Sequence, residues 1–427
     1  MTSEPRPATT VPLTSAQQAE VERQHALIMR GTRFGDAETR ATMERELRAR
    51  LAASLQDERP LRVYFGVDPT APDLHLGHCV PLRKLRTFQQ LGHHAILLIG
   101  DFTAQIGDAS DKDALRPMHA AAVIAANART YQDQAFKLLD RARTEVVHNA
   151  DWLGTLTFQD VVGLASNFTV AQFIERDNFR KRLDRGEPVF VHEFMYGLMQ
   201  GYDAVELRAD VQVGGTEQTF NIMAGRILQR VHAQAPQVAI TSPILVGLDG
   251  KERMSKSAGN HIGIDEPPGE QYGKAMSIPD DALVEFYTLG TNLEPGAVDG
   301  IGRGLGDGSL HPMAAKKRLA HAIVAEWHGE EAADAAADGF ARVFSQREQP
   351  DEMPEVAVPI ADGAATVALA GLLTRAGVAE SKSEVKRLIA GGSIQLDGER
   401  VTRPEISVVP GSVLKVGKRR WLRIVAE

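Results

Sequence analysis

Apolar and polar stretches between residues 61 and 99 predict a strand, a helix and a second strand in close succession. The apolar run Leu61–Phe65 precedes a turn rich in glycine and proline. A helix opens near His75 and ends at Gly92, and a second apolar run follows at His94–Ile99. Strand, helix and strand within about 40 residues form a βαβ unit, which pairs its strands in parallel and places ligands at their carboxyl ends. The pattern therefore predicts an α/β fold built on a parallel sheet.

Helical periodicity dominates much of the remaining chain. A broken apolar stripe predicts a helix from about Ser15 to Gln56, and further helical stretches are expected over 118–174 and 279–344. A glycine-rich turn at 300–308 is expected to interrupt the last stretch.

An acidic, proline-rich stretch separates the C-terminal part of the chain from the rest. Residues 349–354 suit a linker better than a core. Because 427 residues exceed what one core usually holds, we expect several domains. The predicted division is an N-terminal tail and helix over 1–58, a sheet domain with a helical insertion over 59–248, a loop and helical domain over 249–348, a linker over 349–364, and a C-terminal domain of two short helices and several strands over 365–427.

The composition is that of an ordinary globular protein, with 43% apolar and 24% charged residues. The charged, proline-containing stretch 1–12 does not read as a secretory signal, and no apolar run approaches the roughly 18 residues of a membrane span. Cys79 is the only cysteine, which excludes a disulfide within the chain and a thiolate metal cluster. We expect a cytoplasmic protein with no membrane partner and no protein-held metal.

Charge is unevenly distributed along the chain. The net charge is −8, yet residues 371–427 contain 11 Lys and Arg against 6 Asp and Glu, which leaves 37 against 50 elsewhere. A basic module on an acidic body can bind phosphates, although a solubilising surface would show the same imbalance.

Two histidines open the helix that follows the first strand, in the sequence Asp-Leu-His-Leu-Gly-His at 73–78. A helix N-terminus at the ligand edge of a parallel sheet favours phosphate. His75 and His78 lie three residues apart, on one side of the first turn, and Gly77 leaves room for a purine near the backbone. A helix start with two incidental histidines would look the same, so this motif alone leaves both interpretations open.

A second motif is the loop Asp-Gly-Lys-Glu-Arg-Met-Ser-Lys-Ser at 249–257. Lys256 can stabilise the charge that builds on a leaving pyrophosphate, while Ser255 and Ser257 add hydroxyl donors. Arg253 provides a second, forked cation. We interpret the loop as a phosphate site rather than a lysine-rich surface loop.

In this order, residues 75–78 and 253–257 resemble the HIGH and KMSKS signatures of class I aminoacyl-tRNA synthetases, with Arg253 in place of the family's first lysine. The resemblance implies a Rossmann-like catalytic domain over 59–248 with a dimer region in its insertion, an α-helical anticodon-binding domain, and a small α+β RNA-binding domain at the C-terminus. It also implies that an amino-acid carboxylate attacks the α-phosphate of ATP, a reaction that depends on orientation and charge neutralisation. Mg²⁺ is expected to arrive with the ATP phosphates.

From about Arg62 onward the chain is similar to bacterial tyrosyl-tRNA synthetases, in the branch with a KMSKS-type loop. The resemblance implies that Tyr64 and Asp203 meet the substrate phenol from two sides. Phenylalanine would leave these buried groups unpaired, at roughly 1–3 kcal/mol each. The chain is therefore expected to use L-tyrosine, ATP and tRNA(Tyr), and to form a homodimer.

The same resemblance implies roles for the other site residues. Asp108 would accept the substrate ammonium, although an Asp at this position also suits a helix N-cap. Two positions depart from the family: Phe65 stands where relatives carry a cysteine near the ribose, and Glu217 stands where many carry aspartate. The implied catalytic residues are His75, His78, Lys112, Arg116 and Lys256; the ATP contacts are Thr70, Gly77, Gly215, Glu217, Leu245, Val246, Arg253, Ser255 and Ser257; the tyrosine contacts are Tyr64, Asp68, Thr103, Asp108, Tyr196, Gln200, Asp203 and Gln218.

The C-terminal stretch 381–398 resembles the small RNA-binding fold shared by a ribosomal small-subunit protein and pseudouridine synthases. Lys382, Lys386 and Arg387 share one face of a helix and suit a phosphate backbone, although a solvated basic helix would carry the same residues.

Two alternatives stay open at this point. A tryptophanyl-tRNA synthetase would share the fold, although the Tyr64 and Asp203 pair and the RNA-binding tail speak against it. A paralogue that works in RNA binding or splicing would keep the fold without the reaction, although the intact phosphate motifs argue against lost catalysis.

Overall fold

The computed structural model describes residues 12–70, 73–108, 121–345, 353–360, 363–379, 381–417 and 420–427. The chain divides into two compact units, Met1–Ala333 and Asp334–Glu427. The five-part division predicted from the sequence is finer than these units and stays a prediction, and its linker falls partly outside the described residues.

The first unit is built on a five-stranded sheet whose pairings are all parallel. Its strands are β1 (Arg62–Val67), β2 (His94–Ile99), β3 (Thr144–His148), β4 (Val211–Gly215) and β5 (Val238–Ser242). Their spatial order is β3-β2-β1-β4-β5, so the chain continues from β1 to opposite sides of the sheet. Such a switch opens a crevice at the carboxyl ends of the strands, where ligands bind in α/β folds. The predicted parallel α/β sheet is confirmed.

Helices pack against this sheet and form much of the rest of the unit. They are α1 (Ser15–Met29), α2 (Ala37–Gln56), α3 (Leu76–Gln90), α4 (Thr103–Ile106), α5 (Ala121–Ala135), α6 (Ala150–Leu153), α7 (Phe158–Ala165), α8 (Val170–Ile174), α9 (Asp177–Asp184), α10 (Val191–Glu206), α11 (Thr219–Val231), α12 (Pro268–Met276), α13 (Leu283–Gly290), α14 (Pro295–Asp307) and α15 (Pro312–His328), and α16 (Glu330–Ser345) contains the boundary between the units. None of the described helices is long and apolar enough to cross a membrane.

The N-terminal region is two helices, so the single helix predicted from Ser15 to Gln56 was wrong. Gly31 follows α1 with a positive φ of 66°, a conformation that glycine adopts at little cost. Asp36 then caps α2, because its carboxylate accepts a hydrogen bond from the Thr39 backbone N–H at 2.7 Å. A glycine and a capping residue therefore break the apolar stripe.

The structure adds a strand to one of the predicted helical stretches and corrects the turn predicted in another. The stretch predicted to be largely helical over 118–174 contains the strand β3, which is short and only partly buried. The turn predicted at 300–308 is largely helical, since α14 runs from Pro295 to Asp307 and Gly308 follows it in the left-handed conformation. Gly304 is needed inside this helix because a Cβ there would lie 2.9 Å from the Leu310 side chain. Close packing, rather than a turn, explains that glycine.

The second unit has its own core, formed by side chains such as Leu373, Val385, Leu414 and Leu422. One sheet has the order β6-β12-β11-β8-β9, and β7 pairs separately with β10. Its elements are β6 (Glu355–Val358), β7 (Ala365–Ala368), α17 (Leu369–Arg375), α18 (Lys382–Ala390), β8 (Ile394–Leu396), β9 (Glu399–Arg400), β10 (Glu405–Val408), β11 (Val413–Val416) and β12 (Arg420–Ala426).

Candidate active site

A cavity of about 700 Å³ lies at the carboxyl ends of the parallel strands, beside the start of α3. The residues that line it come from segments far apart in the chain and include most of those implied by the resemblance. These are Tyr64, Asp68, Thr70, His75, Gly77, His78, Thr103, Asp108, Tyr196, Gln200, Asp203, Gly215, Glu217, Gln218, Arg253, Ser255, Lys256 and Ser257.

Among the implied residues that the structure describes, Leu245 and Val246 do not line this cavity. Leu245 is fully buried, and its carbonyl accepts a hydrogen bond from the Met254 N–H at 3.0 Å. Val246 forms a β-bridge with Arg253, so both residues support the loop that carries Lys256. Lys112 and Arg116 lie outside the described residues.

The first turn of α3 presents two stacked imidazoles to the cavity. The His75 and His78 rings lie 3.7 Å apart between centroids, and the His75 N–H donates to His78 Nδ1 at 3.3 Å. Burial and the nearby groups His78, His261 and Lys256 lower the pKa of His75 to about 2, so this ring is neutral near pH 7. A Cβ on Gly77 would lie 3.0 Å from the His75 ring, which explains why glycine is needed there.

The loop 249–257, which the sequence predicts to bind phosphate, is held by Asn260, a residue that the sequence patterns did not indicate. The Asn260 amide donates to Asp249 Oδ2 at 3.0 Å and to the Arg253 carbonyl at 3.1 Å, and its oxygen accepts from the Ser255 N–H at 2.8 Å. A Cβ on Gly247 would lie 2.2 Å from this amide, so glycine is required beside it. The buried Asn260 side chain therefore fixes the conformation of the loop through hydrogen bonds to three of its residues.

The two motifs predicted from the sequence are in direct contact. Lys256 Nζ lies 2.5 Å from Asp73 Oδ2, just before the histidine motif, and Ser255 and Ser257 share a hydrogen bond of 2.8 Å. The Leu76 N–H also donates to the Ile262 carbonyl at 3.0 Å, after the loop. Two cationic or donor-rich segments thus face one end of the cavity, as phosphate binding requires.

Carboxylates surround the middle of the cavity. Asp68 accepts hydrogen bonds from the Thr103 hydroxyl at 2.7 Å and the Tyr196 hydroxyl at 3.0 Å. Asp108 accepts from the Gln218 amide at 2.7 Å. A Cβ on Gly100 would lie 2.1 Å from Asp68 Oδ1, so the approach of this carboxylate requires glycine. Two oriented carboxylates suit a substrate ammonium.

The far end of the cavity holds Tyr64 and Asp203, both almost fully buried. Asp203 accepts hydrogen bonds from the Trp152 indole at 2.9 Å and from the Asn149 amide at 3.4 Å. Burial raises the pKa of both Asp203 and Tyr64 well above their usual values. Trp152 and Asn149 were not found from the sequence, because they follow the strand β3 in a stretch predicted to be helical.

Among the described residues, no group of three or more His, Cys, Asp or Glu side chains is arranged to hold a metal ion. The charged groups of the cavity instead fit a ligand with an ammonium at its centre, a hydroxyl at one end and phosphates at the other.

Comparison with known proteins identifies the family. Residues 56–345 match the family model described as tRNA synthetases class I (W and Y), and residues 369–414 match the S4 domain. The chain is 49% identical over 407 residues to a tyrosine–tRNA ligase of Moorella thermoacetica, covering 95% of this chain and 96% of that protein. The chain belongs to the class I tyrosine–tRNA ligases. The family predicted from the two motifs is confirmed.

Other members of this family agree in sequence and in fold. The tyrosine–tRNA ligase of Geobacter metallireducens is 47% identical over 407 residues, which cover 95% of this chain and 99% of that one. A solved tyrosyl-tRNA synthetase from Archaeoglobus fulgidus, complexed with L-tyrosine, has a TM-score of 0.58 at 23% identity, covering 74% of this chain and 99% of that chain. The likeness to the solved structure concerns the fold.

The C-terminal unit carries the predicted RNA-binding residues on one helix. Lys382, Lys386 and Arg387 lie on α18, and all three are exposed. Ser381 caps this helix by accepting a hydrogen bond from the Glu384 N–H at 3.2 Å.

Proposed function

We propose that this tyrosine–tRNA ligase carries out both steps of tRNA charging in the cavity described above. A carboxylate oxygen of L-tyrosine attacks the α-phosphorus of ATP, and the bond to pyrophosphate breaks, giving tyrosyl-adenylate. A hydroxyl of the 3'-terminal adenosine of tRNA(Tyr) then attacks the tyrosyl carbonyl, and AMP leaves. The observation that carries the proposal is that one cavity joins a buried Tyr64 and Asp203 pair to both phosphate motifs.

The tyrosine end of the cavity supports specific recognition of the amino acid. Asp68 and Asp108 are proposed to hold the ammonium, with Tyr196, Thr103, Gln200 and Gln218 around them. Tyr64 and Asp203 are proposed to bind the phenol, because their buried polar atoms need a partner that phenylalanine lacks.

The phosphate end supports stabilisation of the transition state. His75, neutral near pH 7, and His78 are proposed to donate hydrogen bonds to phosphate oxygens, and Lys256 to leave Asp73 for the departing pyrophosphate. Lys112 and Arg116, which lie outside the described residues, are proposed to assist there as a basic pair. Thr70, Gly77, Gly215, Glu217, Arg253, Ser255 and Ser257 are proposed to contact ATP, with Leu245 and Val246 contributing backbone groups. Mg²⁺ is proposed to arrive with ATP and to neutralise part of the phosphate charge.

A homodimer in the cytoplasm is proposed from the resemblance and from one surface. The insertion helices α7 to α10 expose apolar side chains, among them Phe158 at 85% and Val191 at 71% exposure. Such a surface is unusual for a monomer and suits a second copy of the chain. Light scattering of a Phe158→Asp variant should report a monomer, whereas an unchanged mass would argue against this interface.

The proposed tRNA contact lies on α18. Lys382, Lys386 and Arg387 are proposed to bind the tRNA backbone, because three exposed cations on one helix face neutralise neighbouring phosphates.

ATP–pyrophosphate exchange with each of the twenty amino acids, without tRNA, tests the proposed function. We expect exchange with tyrosine alone. Exchange driven by tryptophan would assign the pocket to the neighbouring branch of the family, and no exchange with any amino acid would favour an RNA-binding paralogue.

A further inference from the structure

A buried arginine lies beside the proposed ammonium site, behind the residues that line the cavity. Arg176 directly precedes α9, and only 8% of its surface is exposed. Its Nη1 and Nη2 atoms are both buried, and neither has a hydrogen-bond partner among the residues that the structure describes. Because buried donors without acceptors cost free energy, a charged group in this state requires an explanation.

Two aromatic rings hold the Arg176 guanidinium in place. Its central carbon lies 5.1 Å from the centre of the Phe179 ring in α9 and 4.8 Å from the centre of the Phe220 ring in α11. The face of an aromatic ring attracts a cation at such distances. The rings therefore restrict where the guanidinium can lie, and they leave its terminal N–H groups without an oxygen acceptor.

The charge that faces this guanidinium is the carboxylate of Asp108, which lines the cavity. Arg176 Nη2 lies 3.8 Å from Asp108 Oδ1, and the two side chains are 6% and 10% exposed. The other carboxylate oxygen, Asp108 Oδ2, accepts the Gln218 amide at 2.7 Å. Each oxygen of Asp108 is thus oriented by a different protein group.

A second carboxylate in this region is already paired with another arginine. Both oxygens of Glu193 accept hydrogen bonds from Arg182, at 2.5 and 3.0 Å. Burial lowers the pKa of Arg176, whereas the charge of Asp108 raises it, and an arginine remains protonated near pH 7. Asp108 is therefore the main charge partner of Arg176.

We propose that Arg176 is a positioning residue of the tyrosine site, which holds the Asp108 carboxylate in the orientation that receives the substrate ammonium. The proposal rests on the proposed function, in which Asp108 binds this ammonium, and adds to it. A carboxylate has about four lone-pair sites, so Asp108 can face Arg176 and Gln218 and still accept from the substrate. Since Arg176 is not among the described residues that line the cavity, it acts through Asp108.

Replacement of Arg176 by methionine in the full-length chain tests this role. Arg176→Met keeps an unbranched side chain between the two rings and removes the charge. We expect the KM for tyrosine in ATP–pyrophosphate exchange to rise about 10-fold, because the Asp108 carboxylate loses the charge that orients it. The kcat and the KM for ATP should stay nearly unchanged, since the phosphate end of the cavity is unaltered.

Conservative and control variants separate the charge from the structural effects of substitution. Arg176→Lys keeps a cation between the rings and should recover most of the lost affinity for tyrosine. Arg180→Met removes an exposed arginine from the same helix, α9, and should leave both KM values unchanged. Arg176→Gln provides a second neutral variant for the case that Arg176→Met does not fold.

A double-mutant cycle tests whether Arg176 acts through Asp108. Asp108→Asn should raise the KM for tyrosine more than Arg176→Met does. Because the effects of residues in one interacting network are not additive, Arg176→Met should raise the KM little further in the Asp108→Asn background. Tyrosinol keeps the ammonium and lacks the carboxylate, so its inhibition constant in Arg176→Met should rise by the same factor as the KM for tyrosine.

Three results would overturn the proposal. One is a folded Arg176→Met or Arg176→Gln variant with an unchanged KM for tyrosine. Another is a pair of effects, of Arg176→Met and Asp108→Asn, that multiply in the double variant, which would make the two residues independent. The third is an unchanged inhibition constant for tyrosinol beside a raised KM for tyrosine, which would assign Arg176 to the substrate carboxylate.

The unaltered chain distinguishes failure of this proposal from failure of the proposed function. If it shows no exchange with tyrosine, both are overturned together. If it exchanges with tyrosine and any of the three results above is found, only the role of Arg176 is overturned.

Discussion

At the scale of single residues, the proposed phenol site depends on groups that orient Asp203. The Trp152 indole, from α6, and the Asn149 amide, from the residue before that helix, both donate to its carboxylate. Asn149 also donates to the Thr103 hydroxyl at 3.0 Å, and Thr103 in turn donates to Asp68. One buried amide thus links the proposed phenol and ammonium sites.

Trp152→Phe should weaken tyrosine binding by removing one hydrogen bond to Asp203 while keeping an aromatic ring. Loss of a hydrogen bond to a buried acceptor costs about 1–3 kcal/mol, so we expect the KM for tyrosine in pyrophosphate exchange to rise about 5-fold or more. Trp421→Phe, in the second unit, is the control and should leave the KM unchanged. An unchanged KM in Trp152→Phe would show that the indole does not position Asp203.

Lys256→Ala should slow adenylate formation about 100-fold or more, because it removes a charge proposed to stabilise the departing pyrophosphate. Pre-steady-state adenylate formation at saturating tyrosine measures this step. Lys251→Ala, an exposed lysine of the same loop, is the matched control and should behave like the unaltered chain. Equal rates in the two variants would contradict the role assigned to Lys256.

At the scale of elements, α3 carries the histidine motif and is fixed from two sides. Arg83 donates to Glu326 of α15, with one bond of 2.7 Å, and to the Gly290 carbonyl at 2.9 Å. Lys84 Nζ donates to the Ile28 and Arg30 carbonyls, at 2.7 and 2.6 Å, at the end of α1. The position of His75 and His78 therefore depends on helices on both sides of α3.

Arg83→Met should destabilise the first unit strongly, because it leaves the Glu326 carboxylate buried without its cation. Breaking such a pair costs about 3–5 kcal/mol in the free energy of unfolding. Urea denaturation should show this loss, and Arg83→Met combined with Glu326→Met should recover part of it. Arg48→Met breaks an exposed pair with Glu22 and should cost about 0–1 kcal/mol. Similar losses of unfolding free energy in Arg83→Met and Arg48→Met would show that the Arg83–Glu326 pair stabilises the protein no more than an exposed pair does.

Acidification should destabilise the protein through His93, which follows α3. Its Nδ1 accepts the Leu61 N–H at 3.3 Å, its Nε2 lies 3.0 Å from Gln24 Oε1, and burial lowers its pKa to about 4. The unfolded chain takes up this proton near pH 6.5 and the folded chain only near pH 4. The stability contributed by neutral His93 is therefore complete above pH 6.5 and is lost as the pH falls from 6.5 toward 4.

Urea unfolding between pH 7.5 and 4.5 checks this expectation. His93→Gln should reduce the slope of unfolding free energy against pH by at most about 1.4 kcal/mol per unit. The slope that remains in His93→Gln should come in part from buried His75, whose pKa is also lowered, to about 2. A slope that His93→Gln leaves unaltered would rule out the buried neutral imidazole as a cause.

At the scale of the whole molecule, the first unit is acidic, whereas the stretch 371–427 of the second unit is basic. The first unit contains the cavity that is proposed to be catalytic, while the exposed cations proposed to bind tRNA lie on α18 of the second. Chemistry on the amino acid and capture of the tRNA are therefore expected to respond to different substitutions.

Replacing Lys382, Lys386 and Arg387 together by alanine should weaken tRNA charging and spare adenylate formation. Loss of three phosphate contacts should raise the KM for tRNA and lower its salt dependence by a slope of about 2–3. Aminoacylation and pyrophosphate exchange at several salt concentrations separate the two steps. Arg403→Ala changes an exposed arginine of the same unit and serves as the control. Normal tRNA charging by the triple variant would show that these α18 residues do not contact the tRNA.

The sequence by itself determined the features that depend on neighbouring residues. The strands β1 and β2, the start of α3 and the two phosphate motifs are each contained in a few consecutive positions, where hydrophobic period, helix start and residue type act together. The resemblance carried by those motifs also led to Tyr64, Asp68 and Asp203, all of which line the cavity.

Only the tertiary structure decided which distant residues support that site. Trp152, Asn149 and Asn260 act through hydrogen bonds that form after helices and strands have packed, so no local pattern marks them. The same reason applies to Gly304. The local sequence predicts a turn there, whereas the glycine lies in a helix and leaves room for the Leu310 side chain. Local chemistry determined what the site contains, and packing decided how its groups are held.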